Sequence, residues 1–172
     1  MTSILPPAPV PPPAAWEVAP VPADHPDATV LLREYTDELV SRYYRRPATT
    51  TEIDTFANDI ADLFEPRGTL LVARSGATLL GCTGIHWLDG ERAELTRVYV
   101  RTTARRGGAG ARLIGAAEQA AQARGAQRML LNTRKDLTEA IALYIRLGYR
   151  PTEPFGDDPY AELWLARPLG RD

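Results

Sequence analysis

The run Val98-Tyr99-Val100 leads within a few residues into Arg105-Arg106-Gly107-Gly108-Ala109-Gly110-Ala111, an apolar strand feeding a glycine-rich turn that opens a helix. Glycines let successive backbone N–H groups converge without interference from Cβ. The helix N-terminus adds partial positive charge, and two arginines stand beside it. Such a turn is built for an anion, above all a phosphate. It is not an ATP-binding P-loop, which needs Lys-Ser/Thr after the last glycine, because Ala111-Arg112 follows Gly110. A dinucleotide fingerprint fails as well, since Leu113 stands where its third glycine belongs.

The chain around this turn is organised as one unit. Its 172 residues, 44% of them hydrophobic, suffice for one sizeable core. Residues 1–15 carry six prolines and read as a disordered or polyproline-like tail, leaving 16–172 as the domain. Trp16 to Val21 reads as a strand. Apolar spacing predicts one helix over Pro26–Arg45 and a second through Ile53, Phe56, Ile60, Leu63 and Phe64. Three strands follow at Thr69–Arg74, Thr78–Leu88 and Arg92–Val100, with turns at Ser75-Gly76 and Asp89-Gly90. After the glycine turn come a helix ended by Gly125, a strand at Met129–Thr133 apolar on consecutive positions, and a helix from a capping-box-like Asp136/Glu139 start to Gly148. Strands at Tyr149–Glu153 and Ala161–Ala166 close the sheet.

Composition narrows the function. A net charge of −2 gives no global attraction to nucleic acid, and no stretch has the apolar length of a membrane span. Export is not expected from the N-terminus, and one cysteine and two histidines make a metal site improbable. A cytoplasmic, metal-free protein is expected, without nucleic-acid or membrane partners, as a monomer or homodimer.

Three motifs in order carry a resemblance: Arg105-x-x-Gly108-x-Gly110, the flanking segments Glu94–Val100 and Leu130–Thr133, and Ala140-x-x-Leu143-Tyr144-x-x-x-Gly148-Tyr149. Together the sequence resembles the GCN5-related N-acetyltransferase (GNAT) family, closely from Thr69 to Tyr149. The resemblance implies the acyl-CoA N-acyltransferase fold, an α/β architecture. Its sheet is mixed, mainly antiparallel, six- or seven-stranded, flanked by helices on both faces and splayed between the strand ending near Val100 and that at Met129–Thr133. It implies acetyl-CoA as cosubstrate and transfer to a primary amine by direct attack. The pyrophosphate would lie on Arg106, Gly107, Gly108, Ala109, Gly110 and Ala111 beside Arg105, and the pantetheine arm along Val98, Tyr99 and Val100.

The chemistry then has candidates. Leu95 and Val98 break strict alternation, as a β-bulge turning the Val98 N–H toward the thioester oxygen would. Tyr144 is the general acid for the leaving thiolate, although its helical face also suits a core aromatic. Glu94 is the general base; a solvated hairpin charge, an ammonium-binding role, or His86 in its place are the competing readings. Asn132 touches the pantetheine or caps the next turn. Cys82 lacks an activating partner for an acyl-carrier role. The acceptor site falls around Tyr43, Tyr44, Asp157, Asp158 and Tyr160. There the charges conflict: the aspartates suit a cationic amine, whereas Arg42, Arg45 and Arg46 suit an acid. A non-catalytic acyl-CoA sensor would keep the glycine turn and lose Tyr144 and Glu94.

Overall fold

A sheet covered on both faces must be apolar on both, and β2 illustrates how the sequence meets that demand. Leu70 and Val72 pack with Leu31 and Leu32 of the first helix, while Leu71 packs with Ile114 and Ala117 on the opposite face. The computed structural model describes residues 16–170, so the proline-rich segment lies outside the described residues. The elements run β1 (Glu17–Pro20), α1 (Pro26–Tyr44), α2 (Thr50–Ala57), β2 (Gly68–Ser75), β3 (Thr78–Trp87), β4 (Arg92–Val100), α3 (Ala109–Ala123), β5 (Arg128–Thr133), α4 (Thr138–Arg146), β6 (Arg150–Pro151) and β7 (Leu163–Pro168). Short 3-10 turns occupy Ala61–Leu63 and Thr102–Gly107. The strands form a seven-stranded sheet in the order β1-β2-β3-β4-β5-β7-β6. Every neighbouring pair is antiparallel except β4 and β5. This is the mixed, mainly antiparallel sheet expected.

Local chemistry explains most boundaries. α1 begins where His25, in extended backbone, accepts the Asp27 N–H on Nδ1 at 3.1 Å, with Pro26 in the first turn. At the β3–β4 turn Asp89 accepts the N–H groups of Glu91 and Arg92 at 2.9 and 2.8 Å, so the Asp89-Gly90 signal gives the hairpin its register. α3 packs Ala117 and Ala121 at zero exposure, and these small side chains bring the helix close to the sheet.

Two helix readings need correction. The second helix does not run to Phe64. It starts on a Thr49/Glu52 capping box and ends at Asn58, after which the 3-10 turn buries Leu63 and sets Asp62 beneath β4. Nor does Asp136 cap α4. Its carboxylate is held by Arg134 at 2.8 and 2.9 Å, Glu139 pairs with Arg42, and the N-cap Leu137 has no side-chain bond. The last strands are also displaced, to Arg150–Pro151 and Leu163–Pro168.

The parallel pair is short. β4 meets β5 only through Arg92, Ala93 and Glu94, opposite Arg128, Met129 and Leu130. Beyond Glu94 the two strands part, and the gap becomes a cleft. Among the described residues no helix is long and apolar enough to cross a membrane.

Candidate active site

The cleft occupies about 750 Å³, bounded by α1, α2, the parted ends of β4 and β5, the N-terminus of α3 and α4. That volume falls in the range of small-molecule sites, roughly 300–1,000 Å³.

β4 carries the bulge read from its sequence. Gly84 faces Thr96 and Cys82 faces Tyr99, so one residue of β3 spans two of β4, Arg97 and Val98. The face reverses as a result: Ala93, Leu95 and Val98 all pack into one core cluster. Arg97 sits at φ 48°, a left-handed conformation that costs a non-glycine residue about 1–2 kcal/mol. Its guanidinium is clamped by both Asp62 oxygens at 2.9 and 3.0 Å and by the Asp59 carbonyl at 2.8 Å. Burial pushes the Asp62 pKa up, but the hydrogen bonds and charge of Arg97 outweigh it and hold the carboxyl below its ordinary value. Neither Asp62 nor Arg97 stood out in the sequence. The broken alternation marked the bulge without marking what holds it.

At one end of the cleft the chain turns through Gly108, φ 81°, which is the N-cap of α3 and lacks a side-chain cap. Arg105, Gly108, Gly110 and Ala111 line this end; Arg106 and Gly107 do not, and Ala109 is buried beneath it. A Cβ on Gly110 would stand 2.9 Å from Leu143 Cδ2, so glycine there lets α3 approach α4. Arg105 is already engaged, Nε with the Val100 carbonyl at 2.8 Å and Nη2 with Glu38 at 2.6 Å. With Arg105 engaged, positive charge for an anion comes from the backbone N–H groups, the helix end and Arg146, the lining arginine without an ion pair among the described residues. Val98, Tyr99 and Val100 line the adjoining wall. The Tyr99 hydroxyl donates to Glu34 at 3.0 Å.

Glu94 sits where the β4–β5 pairing stops. Its carboxylate is near His86 Nδ1 at 3.5 Å and accepts from Asn132 Nδ2 at 3.3 Å. Burial raises its pKa; His86 works against the rise, and the charges of Asp62 and Asp158 add to it. Tyr144 projects from α4 into the same cleft, 7% exposed, packed edge-on against Tyr149 with ring centres 5.9 Å apart. Among the described residues its hydroxyl meets no hydrogen-bonding partner, and burial holds the phenol well above its ordinary pKa. Cys82 is fully buried, and burial pushes its thiol up to about 12, which leaves no reactive thiolate at neutral pH.

At the other end stand the aromatic residues. Tyr43 meets Tyr44 and Tyr160 edge-on, with ring centres 5.0 and 5.5 Å apart, and all three are nearly half exposed. Tyr43, Tyr44, Tyr160 and Asp158 line the cleft, whereas Asp157 does not. Among the described residues no group of three His, Cys, Asp or Glu side chains is disposed to hold a metal ion.

The comparisons agree with this geometry. Residues 29–149 match the acetyltransferase (GNAT) family. An IAA acetyltransferase of Azospirillum brasilense is 35% identical over 147 residues, covering 83% of this chain and 92% of that protein. A GNAT acetyltransferase structure from Staphylococcus aureus superimposes with a TM-score of 0.73 at 15% identity, covering 90% of this chain and 99% of the other. One from Elizabethkingia anophelis, solved with acetyl-CoA bound, gives 0.61 at 18% identity over 90% and 98% of the two chains. The splayed sheet, the bulged β4, the glycine turn and a match running through most of the domain have one common meaning: the chain is an acetyltransferase belonging to the GNAT family.

Proposed function

We propose that the protein transfers the acetyl group of acetyl-CoA directly to a primary amine, with Glu94 as general base and Tyr144 as general acid. The carrying observation is that a partly buried carboxylate with a raised pKa and a phenol whose ring is buried and whose hydroxyl has no protein partner among the described residues line one cleft, the first at the parting of β4 and β5 and the second on α4. The pyrophosphate is held by the backbone around Gly108, Gly110 and Ala111, and the pantetheine arm lies along Val98–Val100. Asn132 keeps Glu94 in place with one N–H, and its second N–H and carbonyl oxygen are left for the arm.

The proton balance closes. The incoming ammonium gives one proton to Glu94, directly or through a water, and the freed lone pair forms the N–C bond at the thioester carbon. The Val98 N–H receives the charge that develops on the carbonyl oxygen. Collapse breaks the C–S bond, Tyr144 supplies the thiolate's proton, and the second proton of the nitrogen restores the phenol. Coenzyme A and the amide leave, and Glu94 returns its proton to solvent.

Because Glu94 must be ionised to act, kcat/KM rises with pH through its pKa. Burial sets that limb above the ordinary carboxyl value of 4.5. In Glu94→Gln the limb should vanish and kcat/KM at neutral pH fall by about 10²–10⁴-fold. An acid limb that persists in Glu94→Gln assigns the base elsewhere, His86 first.

A further inference from the structure

The conflict of charges at the acceptor end resolves once the ion pairs and the cleft lining are traced: Arg45, which makes no ion pair among the described residues, is exposed and lies outside that lining. Arg42 is bound to Glu139 and the Asp136 carbonyl, Arg97 to Asp62, Arg105 to Glu38, and Arg134 to Asp136 and the Leu39 carbonyl. Arg46, just outside the cleft, is bound to Glu52. Arg146 makes no ion pair among the described residues, but it belongs to the phosphate end. It follows Leu143 by three residues on one helical face, and Leu143 abuts Gly110. Each arginine lining the acceptor end is therefore already neutralised.

Of the acids in the lining, Asp62, Glu38 and Glu139 are taken up by these arginines, and Asp158 is not. Asp158 is exposed and forms no ion pair among the described residues; its Oδ1 accepts the Tyr160 N–H at 2.9 Å. It lines the same cleft as Glu94 and Tyr35. The same cleft is lined by Tyr35, Tyr43, Phe56 and Tyr160, which offer flat, apolar walls and negatively charged ring faces to a cation. A carboxylate beside the reacting nitrogen would meet Asp158 and Glu94 with no unpaired guanidinium to receive it.

Building on the acetyl transfer proposed above, we infer that the acceptor is an amine without a neighbouring carboxylate and with an aromatic or aliphatic body. Asp158 draws its ammonium to Glu94, and the tyrosines enclose its body. α-Amino acids are excluded by charge.

Phenethylamine and phenylalanine test this, because they share a ring and a nitrogen and differ by one carboxylate. With acetyl-CoA saturating, kcat/KM should favour phenethylamine by at least about 30-fold, the scale of one like-charge encounter in a partly desolvated site. Asp158→Asn retains the oxygen that accepts from Tyr160. It should raise KM for phenethylamine by about ten-fold, leave phenylalanine unchanged or improved, and narrow the ratio accordingly. Equal or greater activity on phenylalanine overturns the inference while leaving acetyl transfer intact. So does a preference that Asp158→Asn leaves at its wild-type value, since that would be a steric effect. Failure of both amines, with thioester consumption no faster than in buffer, removes the inference and the transfer reading together.

Discussion

The two ends of the cleft are built from different materials. At the proposed phosphate end the cleft presents backbone N–H groups, fixed by the positive φ of Gly108 and the start of α3, with Arg105 tied to Glu38 and Arg146 the lining arginine that has no ion pair among the described residues. At the acceptor end they are side chains from α1, α2 and the loop before β7, held by ring contacts and ion pairs from distant parts of the chain. A backbone site tolerates exchange of its side chains and fails when the turn fails. A side-chain site is retuned by single substitutions without loss of the fold. On the proposed reading, one end serves a constant cosubstrate while the other is free to specialise.

The largest effect is expected where the ends meet. Tyr144→Phe keeps the ring against Tyr149 and removes only the proton donor, so kcat should fall by about 10²–10⁴ while acetyl-CoA affinity barely changes. Rapid-quench turnover alongside equilibrium binding checks both halves. A variant with full kcat makes Tyr144 a packing residue and leaves the thiolate to be protonated by solvent.

The phosphate end is tested by a pair of substitutions. Gly108→Val forces a β-branched residue into φ 81° and presents Cβ branches to the anion, so acetyl-CoA affinity should fall by about 100-fold. Arg106→Ala should lose less than about three-fold, because the residue lies outside the cleft lining. Calorimetric titration reads both, and thermal melts show whether Gly108→Val remains folded. Equal losses would give the side-chain charge the leading part and erase the contrast between the two ends.

The same contrast explains what could be read in the sequence. The glycine turn, the Asp89-Gly90 hairpin and the helix start at Pro26 are local, so a few adjacent residues determine them. The Leu95/Val98 break gave the bulge from one strand alone. Neither the clamp of Asp62 on Arg97, 35 residues away, nor the pairing of Arg42 with Glu139, 97 residues away, has a local signature. Counting charges near the acceptor site therefore produced a conflict that only tertiary pairing resolves. The end of α2 was misread for a related reason. Ile60 and Leu63 continue a helical apolar period, but the polar Asn58-Asp59 step stops the helix and the apolar residues reach the core through a 3-10 turn.

The smallest effect links the acceptor end to the bulge. Asp62→Asn keeps the shape of the side chain and removes the charge that clamps Arg97 in its left-handed backbone. A half-buried pair lies between exposed pairs, at about 0.5 kcal/mol, and buried ones, at roughly 3–5 kcal/mol, so the domain should stay folded with a modestly lower melting temperature. What should change is the bulge itself: a shifted Val98 amide resonance and a kcat lower by about five- to ten-fold, with little change in acetyl-CoA binding. The pH dependence follows from the direction of the Asp62 shift. Its folded pKa lies below the ordinary value of 3.8, so the pair's stabilisation is complete above that value and is lost only as pH falls through the lowered one. In the wild type the Val98 resonance should therefore hold steady on acidification past the Glu94 limb. An unmoved Val98 resonance and unchanged kcat in Asp62→Asn would mean that the β3–β4 register alone sustains the bulge, with Asp62 merely covering a half-buried arginine.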